Sequence, residues 1–295
     1  MLAAAHQDLV GDADWLSAGT RREARAKLGN LVAKIGHPDS WRDYRGLTIE
    51  PGDLLGNVLR ARRFEAEYRM KRLAGSTDRS EWLVTPQSVN AFYDPARNEI
   101  VLPAAFLQPP FYQVDADPAV NYGALGAVIG HELGHGFDAE AGRQRDASGR
   151  TRAWWTPDDE RAYEARTRPL VAQFNAYSPL DGRFVDGVLT LGENAGDLGG
   201  LSVAYHAYRR SLGGRSAPVI DGFTGDQRFF LAWAQAWRMV IRPEYLREWL
   251  LAMRHAPPEY RANGPVTHLA AFYEAFGIKP GDRMYRAVEG RVKIW

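Results

Sequence analysis

Two histidines four residues apart, in His131-Glu132-Leu133-Gly134-His135, constrain this chain more than any other feature. On a helix that spacing puts both imidazoles on one face, one turn apart, as two ligands of a single zinc ion require. Glu132 lies beside His131 around the same helix, where it reaches a water on the metal without ligating the metal itself. Yet the segment is a poor helix by intrinsic preference. Gly123, Gly126, Gly130, Gly134 and Gly136 each cost up to about 1 kcal/mol relative to alanine. Close packing or a bound metal must hold it in place; the competing reading is an ordinary helix whose histidines fall at i, i+4 by coincidence.

Composition narrows the search for further ligands. The 295 residues include no cysteine, which excludes disulfides and Cys-based zinc sites. Any metal is held by His, Asp and Glu, and the histidines are only seven: His6, His37, His131, His135, His206, His255 and His268. A third ligand is offered by Glu193-Asn194-Ala195-Gly196-Asp197. On a helix its two carboxylates face the same way, so one can ligate while the other accepts a hydrogen bond from a ligand histidine. Thr190-x-x-Glu193 also fits a helix capping box, which taken alone is an equally good reading. The first motif tips the balance to ligation.

The rest of the chain reads as a water-exposed globular protein. With 37 basic and 36 acidic residues its net charge is +1, which gives no reason to expect nucleic acid or anionic lipid as partner. No apolar run approaches the 18 residues of a membrane span. The first residues, Met1 to Asp8, lack the basic region of a signal peptide, so compartment stays open. Helical periodicity is expected over 14–35, from Pro51 to about 73, and over 119–138, 156–177, 190–213, 225–253 and 266–276. Thr156-Pro157-Asp158-Asp159 carries a cap, a first-turn proline and an acidic third position. Short strands are expected between 82 and 103, joined by the Asp94–Asn98 turn. The fold class is therefore α+β, mainly helical, with a small sheet and the HExxH helix at its centre.

These motifs, taken in order, resemble the neprilysin-like (M13) zinc endopeptidases, which include endothelin-converting enzymes and bacterial oligopeptidases. The resemblance rests on Val89-Asn90-Ala91-Phe92-Tyr93, on Asn98 to Pro103 with Gln108 to Phe111, on His131 to Asp138 and Glu193 to Asp197, and on Arg242-Pro243-Glu244 and Trp295. It implies a thermolysin-like catalytic domain holding one Zn2+ on His131, His135 and Glu193. Glu132 would be the base, Asp138 and Asp197 the partners of the zinc histidines, and Asn90 and Ala91 the residues that hold the substrate main chain. His255 and Arg261 match a transition-state histidine and a substrate-binding arginine; from sequence alone His255 is as readily a surface residue. Phe106, Phe111, Val128 and Trp237, with Ala127, fall where the family lines its S1′ pocket, although periodicity alone makes them core. The substrates implied are oligopeptides with a large apolar residue after the cleaved bond, and the location extracytoplasmic.

Two departures stand out. The chain ends Val292-Lys293-Ile294-Trp295 where the family has Cys-x-x-Trp, and it is about half the family's length. Residues 1–53 read as a remnant of the family's helical roofing domain and 54–295 as the catalytic domain. Surface left by the missing part would favour self-association. The rival reading is a zinc-holding, peptide-binding remnant with little turnover.

Overall fold

The computed structural model describes residues 1–73, 75, 78–137 and 140–295, with backbone only at 140 and 141. Helices α1 (Leu2–Asp12) and α2 (Ala18–Gly29) lead into strand β1 (Val32–Gly36) and the long α3 (Leu54–Leu73). Strands β2 (Phe92–Asp94) and β3 (Glu99–Pro103) then form a hairpin. The helical run beyond it is α4 (Pro118–Asn121), one π-helical turn (Tyr122–Gly126) and α5 (Ala127–Gly134). After α6 (Glu140–Arg143) come α7 (Pro157–Asn175), α8 (Leu191–Ser211), α9 (Gly225–Ala236) and α10 (Pro243–Ala252). The last helices are α11 (Pro258–Asn263) and α12 (Ala270–Phe276). The sheet order is β1-β3-β2, parallel between β1 and β3 and antiparallel in the hairpin, so β2 presents a free edge. The mainly helical architecture with one small sheet matches the expected fold class.

Several expected elements form for the expected reasons. Asn98 takes φ 52° to close the β2–β3 turn, a conformation asparagine tolerates better than most residues. Thr156 and Asp159 make a complete capping box at the start of α7. Two helices end earlier than their periodicity suggests. The stripe through Leu31 and Ile35 leaves the helix at Gly29, and Val32–Gly36 instead pairs with β3. A glycine followed by asparagine ends α2, and β-branched Val32 and Ile35 suit the pleated strand. The run from 225 to 253 breaks between Ala236 and Pro243, and Pro243 opens the first turn of α10 with Arg242 extended before it. Helix α1 has no counterpart among the expected elements.

The first 36 residues share a core with the body of the chain. Val10, Ala13, Leu16, Ala24 and Leu28 pack in one cluster with Ile100, Leu102, Leu133 and Phe137. Trp295 is buried in the same cluster, stacked on Trp15, whose indole N–H donates to the Ile294 carbonyl at 3.0 Å.

At the centre α5 crosses α8 at a distance only glycine permits. A Cβ on Gly130 would lie 2.6 Å from the Gly200 carbonyl oxygen, and one on Gly200 2.5 Å from the backbone nitrogen of His131. This approach is why a glycine-rich segment folds as a helix here. Helix propensity alone would make Gly130→Ala stabilising by about 1 kcal/mol. The contact with α8 backbone reverses the sign, and we expect a loss of about 1–3 kcal/mol from overpacking, measurable by urea unfolding.

Two buried histidines set an acid limit on stability. His6 is fully buried against Phe137 and Trp295, with no hydrogen-bond partner on either ring nitrogen. His268 accepts the Val292 N–H on Nδ1 and donates from Nε2 to Gln173. Burial pulls both down to about 3, helped at His268 by Arg286 and Arg291. Below their unfolded value of 6.5 the unfolded chain binds protons that the folded chain refuses. Stability is therefore full above about pH 6.5 and falls as pH drops toward 3, by about 1.4 kcal/mol per unit for each group. Urea unfolding between pH 7 and pH 5 should show this slope, and His6→Leu should make it shallower.

Candidate active site

Helices α5 and α8 bring the two sequence motifs face to face. His131 and Glu132 project from α5, and His135 caps its C-terminal end. Glu193 comes from the first turn of α8, and Asp197 lies one turn later. Thr190 occupies the N-cap position of α8 but makes no side-chain capping bond. Glu193 instead points at the histidines. Its Oε2 lies 3.2 Å from His131 Nε2, 3.5 Å from His135 Nε2 and 2.9 Å from His255 Nε2. The close approach of the helices is again enforced by a glycine, since a Cβ on Gly196 would sit 2.9 Å from His131 Nδ1.

Electrostatics around these groups is that of a cation site. Burial would raise the Glu193 carboxyl, but His131, His135 and His255 outweigh it and hold the group far below the usual carboxylate range. Burial and His135 would lower His131, yet hydrogen bonds to Asp197 and Glu193 carry it above its ordinary value. Asp197 is fully buried and accepts a bidentate pair from Arg261 at 2.7 and 2.8 Å, together with the Nδ1–H of His131 at 2.8 Å. Burial would raise its carboxyl, and the Arg261 charge and these bonds drive it down instead. Asp197 thereby holds the Nδ1–H of His131 and fixes the orientation of the ring, with Nε2 turned toward Glu193, where it can give its lone pair to a metal once deprotonated.

The donor set fits zinc. Two ligands about 2.05 Å from an ion in tetrahedral geometry stand about 3.3 Å apart, close to the 3.2 and 3.5 Å between Glu193 and the two α5 histidines. Three imidazole nitrogens surround Glu193 Oε2 at 2.9–3.5 Å, the arrangement a shared cation would replace with coordination bonds. Among the described residues His131, Glu193 and His255 also form a compact group able to hold a metal. His255 therefore reaches the same point from the loop before α11, a proximity its sequence context does not reveal.

The site opens into a cavity of about 360 Å³. Asn90, Ala91, Phe106, Phe111, Val128, Trp237, His255 and Arg261 all line it beside Glu132 and the α5 histidines. Phe106 and Phe111 stack at 4.2 Å, and Trp237 lies 3.8 Å beneath the Arg261 guanidinium. Phe92 and Tyr93 also line it, and sequence reasoning assigned them no role. Their place beside Asn90-Ala91 on an edge strand is the signal that could have found them. Asp138 lies outside the described residues. Ala127 is fully buried in the core rather than on the cavity wall.

Residues 90–292 match the family model described as peptidase family M13. The chain belongs to that family. Among its M13 relatives, the endothelin-converting enzyme homolog of Locusta migratoria is 36% identical over 280 residues, covering 92% of this chain and 38% of its own length. Human endothelin-converting enzyme 1 is 36% identical over 291 residues, covering 95% and 37%. In three dimensions the chain is similar to the zinc metalloprotease Zmp1 of Mycobacterium tuberculosis, solved with an inhibitor (48% identity, TM-score 0.95, all of this chain and 46% of that one). It is also similar to PepO of Lactobacillus rhamnosis (35% identity, TM-score 0.90, 100% and 45%). The chain thus spans less than half the length of these relatives. None of its described helices is long and apolar enough to cross a membrane.

Proposed function

We propose that this chain carries the catalytic centre of a zinc-dependent endopeptidase acting on oligopeptides. The observation that carries the reading is the convergence of His131, His135 and Glu193 at zinc-ligand spacing, with Glu132 on the same cavity wall. His131, His135 and Glu193 would hold one Zn2+, which when bound would supply a Lewis acid to acidify the attacking water and polarise the scissile carbonyl. Glu132 accepts a proton from that water and passes it to the leaving amine. His255 and Arg261 donate hydrogen bonds to the oxygen that gains charge as the carbonyl carbon becomes tetrahedral. Asp197 acts through His131 and Arg261, holding both in place.

The walls suggest how a peptide lies. An extended substrate adds to the free edge of β2, held by Asn90 and the Ala91 backbone. Phe106, Phe111, Val128 and Trp237 supply an apolar pocket for a large side chain just after the cleaved bond. A binding remnant with little turnover is not favoured, because Glu132 and His255 both face the cavity. An extracytoplasmic site of action belongs to the same proposal, as does self-association through exposed apolar residues such as Leu54, Leu55 and Val240; cell fractionation and sedimentation test these two.

Cleavage of quenched peptides that differ only in the residue after the scissile bond tests the reading. Phe or Leu there should give at least tenfold higher kcat/KM than Gly or Asp, and a chelator should abolish turnover until zinc is restored. Equal cleavage of all peptides would remove the pocket assignment, and chelator-resistant cleavage would remove the zinc.

A further inference from the structure

We infer that Lys27, near the C-terminal end of α2, is a positioning residue for His135: its ammonium ties the chain just after that histidine to the segment 142–145. Lys27 is 1% exposed, an environment lysine seldom occupies. Its Nζ donates to the carbonyl oxygens of Gly136 at 2.8 Å, Gly142 at 2.6 Å and Arg145 at 2.7 Å. Burial pulls the ammonium down to about 7, while Asp146 and Glu23 act in the opposite direction. Three carbonyls on one nitrogen are satisfied together only by three N–H bonds, so the protonated form is the one that fits.

Two of the three acceptors meet at His135. Gly136 comes directly after His135, and Gly142 packs back onto it: a Cβ at 142 would lie 2.0 Å from the His135 carbonyl oxygen and 2.7 Å from the Gly136 carbonyl carbon. The Gly142 carbonyl also accepts the Trp154 indole N–H at 3.0 Å. His135 is the C-cap of α5, its N–H still bonded to the His131 carbonyl, and the described chain beyond it packs back onto its carbonyl, so what holds this fold-back bears on where His135 sits. A cation at a helix C-terminus is also favoured by the helix dipole. Lys27 reaches the opposite cavity wall through its backbone. Its carbonyl accepts from Asn98 Nδ2 at 2.9 Å, and Asn98 Oδ1 accepts the Tyr93 hydroxyl at 2.7 Å. Residue 27 lies outside the stretch matched by the family model, in the segment that sequence reasoning sets apart from the catalytic domain.

The inference rests on the assignment of His135 as a zinc ligand, and the test separates the two. Zinc affinity is measured by chelator competition on the full chain for Lys27→Met, Leu28→Ala and His135→Ala, with melting temperatures and steady-state kinetics. Lys27→Met should weaken zinc binding about 10-fold or more and lower kcat, with KM within about twofold. Leu28→Ala removes a buried core side chain from the same helix; it should lower the melting temperature and leave zinc affinity unchanged. Wild-type zinc affinity in Lys27→Met overturns the inference, and so does an equal loss in Leu28→Ala at matched melting temperature. Should Lys27→Met not fold, Lys27→Arg is decisive. A planar guanidinium cannot serve three carbonyls that converge on one nitrogen, so zinc affinity should drop several-fold, and a folded Lys27→Arg with unchanged affinity overturns the inference. Undiminished zinc in His135→Ala would instead remove the ligand assignment itself.

Discussion

Replacing Glu132 by Gln should abolish turnover while leaving zinc content and fold intact. The amide is nearly isosteric with the carboxylate and fills the same place beside His131, so packing at the α5–α8 contact is preserved. It cannot accept a proton from the attacking water, nor carry one to the leaving amine. General base catalysis of this kind contributes about 10²–10⁴-fold, and the expected residual kcat is below about 1% of the parent. Zinc content should stay at one ion per chain and the melting temperature within about 2 °C, because Glu132 is placed outside the ligand set. A folded, zinc-loaded Glu132→Gln variant with a tenth or more of parent kcat would move the base elsewhere.

Removing the guanidinium at position 261 should produce the largest loss of stability. Asp197 is buried, and its carboxylate accepts two hydrogen bonds from Arg261 and one from His131. In Arg261→Met the methylene packing on Trp237 is partly retained, but the carboxylate loses both guanidinium bonds. Breaking a buried pair from one side typically costs about 3–5 kcal/mol. Zinc binding should weaken as well, since Asp197 orients His131. Substrate binding is expected to suffer separately, because Arg261 lines the cavity. The double variant Arg261→Met/Asp197→Asn separates these contributions: it should recover much of the stability and little of the kcat/KM. A single variant no less stable than the parent would mean that Asp197 draws its stabilisation from elsewhere.

The chemistry legible in the sequence is the part carried by local spacing. His131, Glu132 and His135 lie within one turn and a half, as do Glu193 and Asp197, so helical geometry alone aligns each group. Thr190 shows the limit of that reasoning. A capping box and a metal ligand place glutamate at the same spacing, and only the position of α5 decides that Glu193 turns away from the cap. The glycines of α5 signal an unusual environment without naming it, because their partner Gly200 is seventy residues distant in sequence. Long-range pairing accounts for the errors too. Leu31 and Ile35 fit a helical stripe, but β3 is available for Val32–Gly36 to pair with. Lys27 looks like an ordinary residue of an amphipathic helix and His6 falls where no element is expected, and nothing near either in sequence tells that it is buried. His255 stands out only through family likeness, and its approach to Glu193 depends on how the loop after α10 folds back.

The most direct test of a zinc centre on these residues is metal analysis of the purified chain and of Glu193→Ala, with X-ray absorption at the zinc edge. The expected result is one zinc per chain, held by nitrogen and oxygen donors at about 2.0–2.1 Å, and near-complete loss of that zinc in Glu193→Ala. Full occupancy with an unchanged spectrum in Glu193→Ala would contradict it, returning Glu193 to the capping role and leaving the convergence on its Oε2 without a metal.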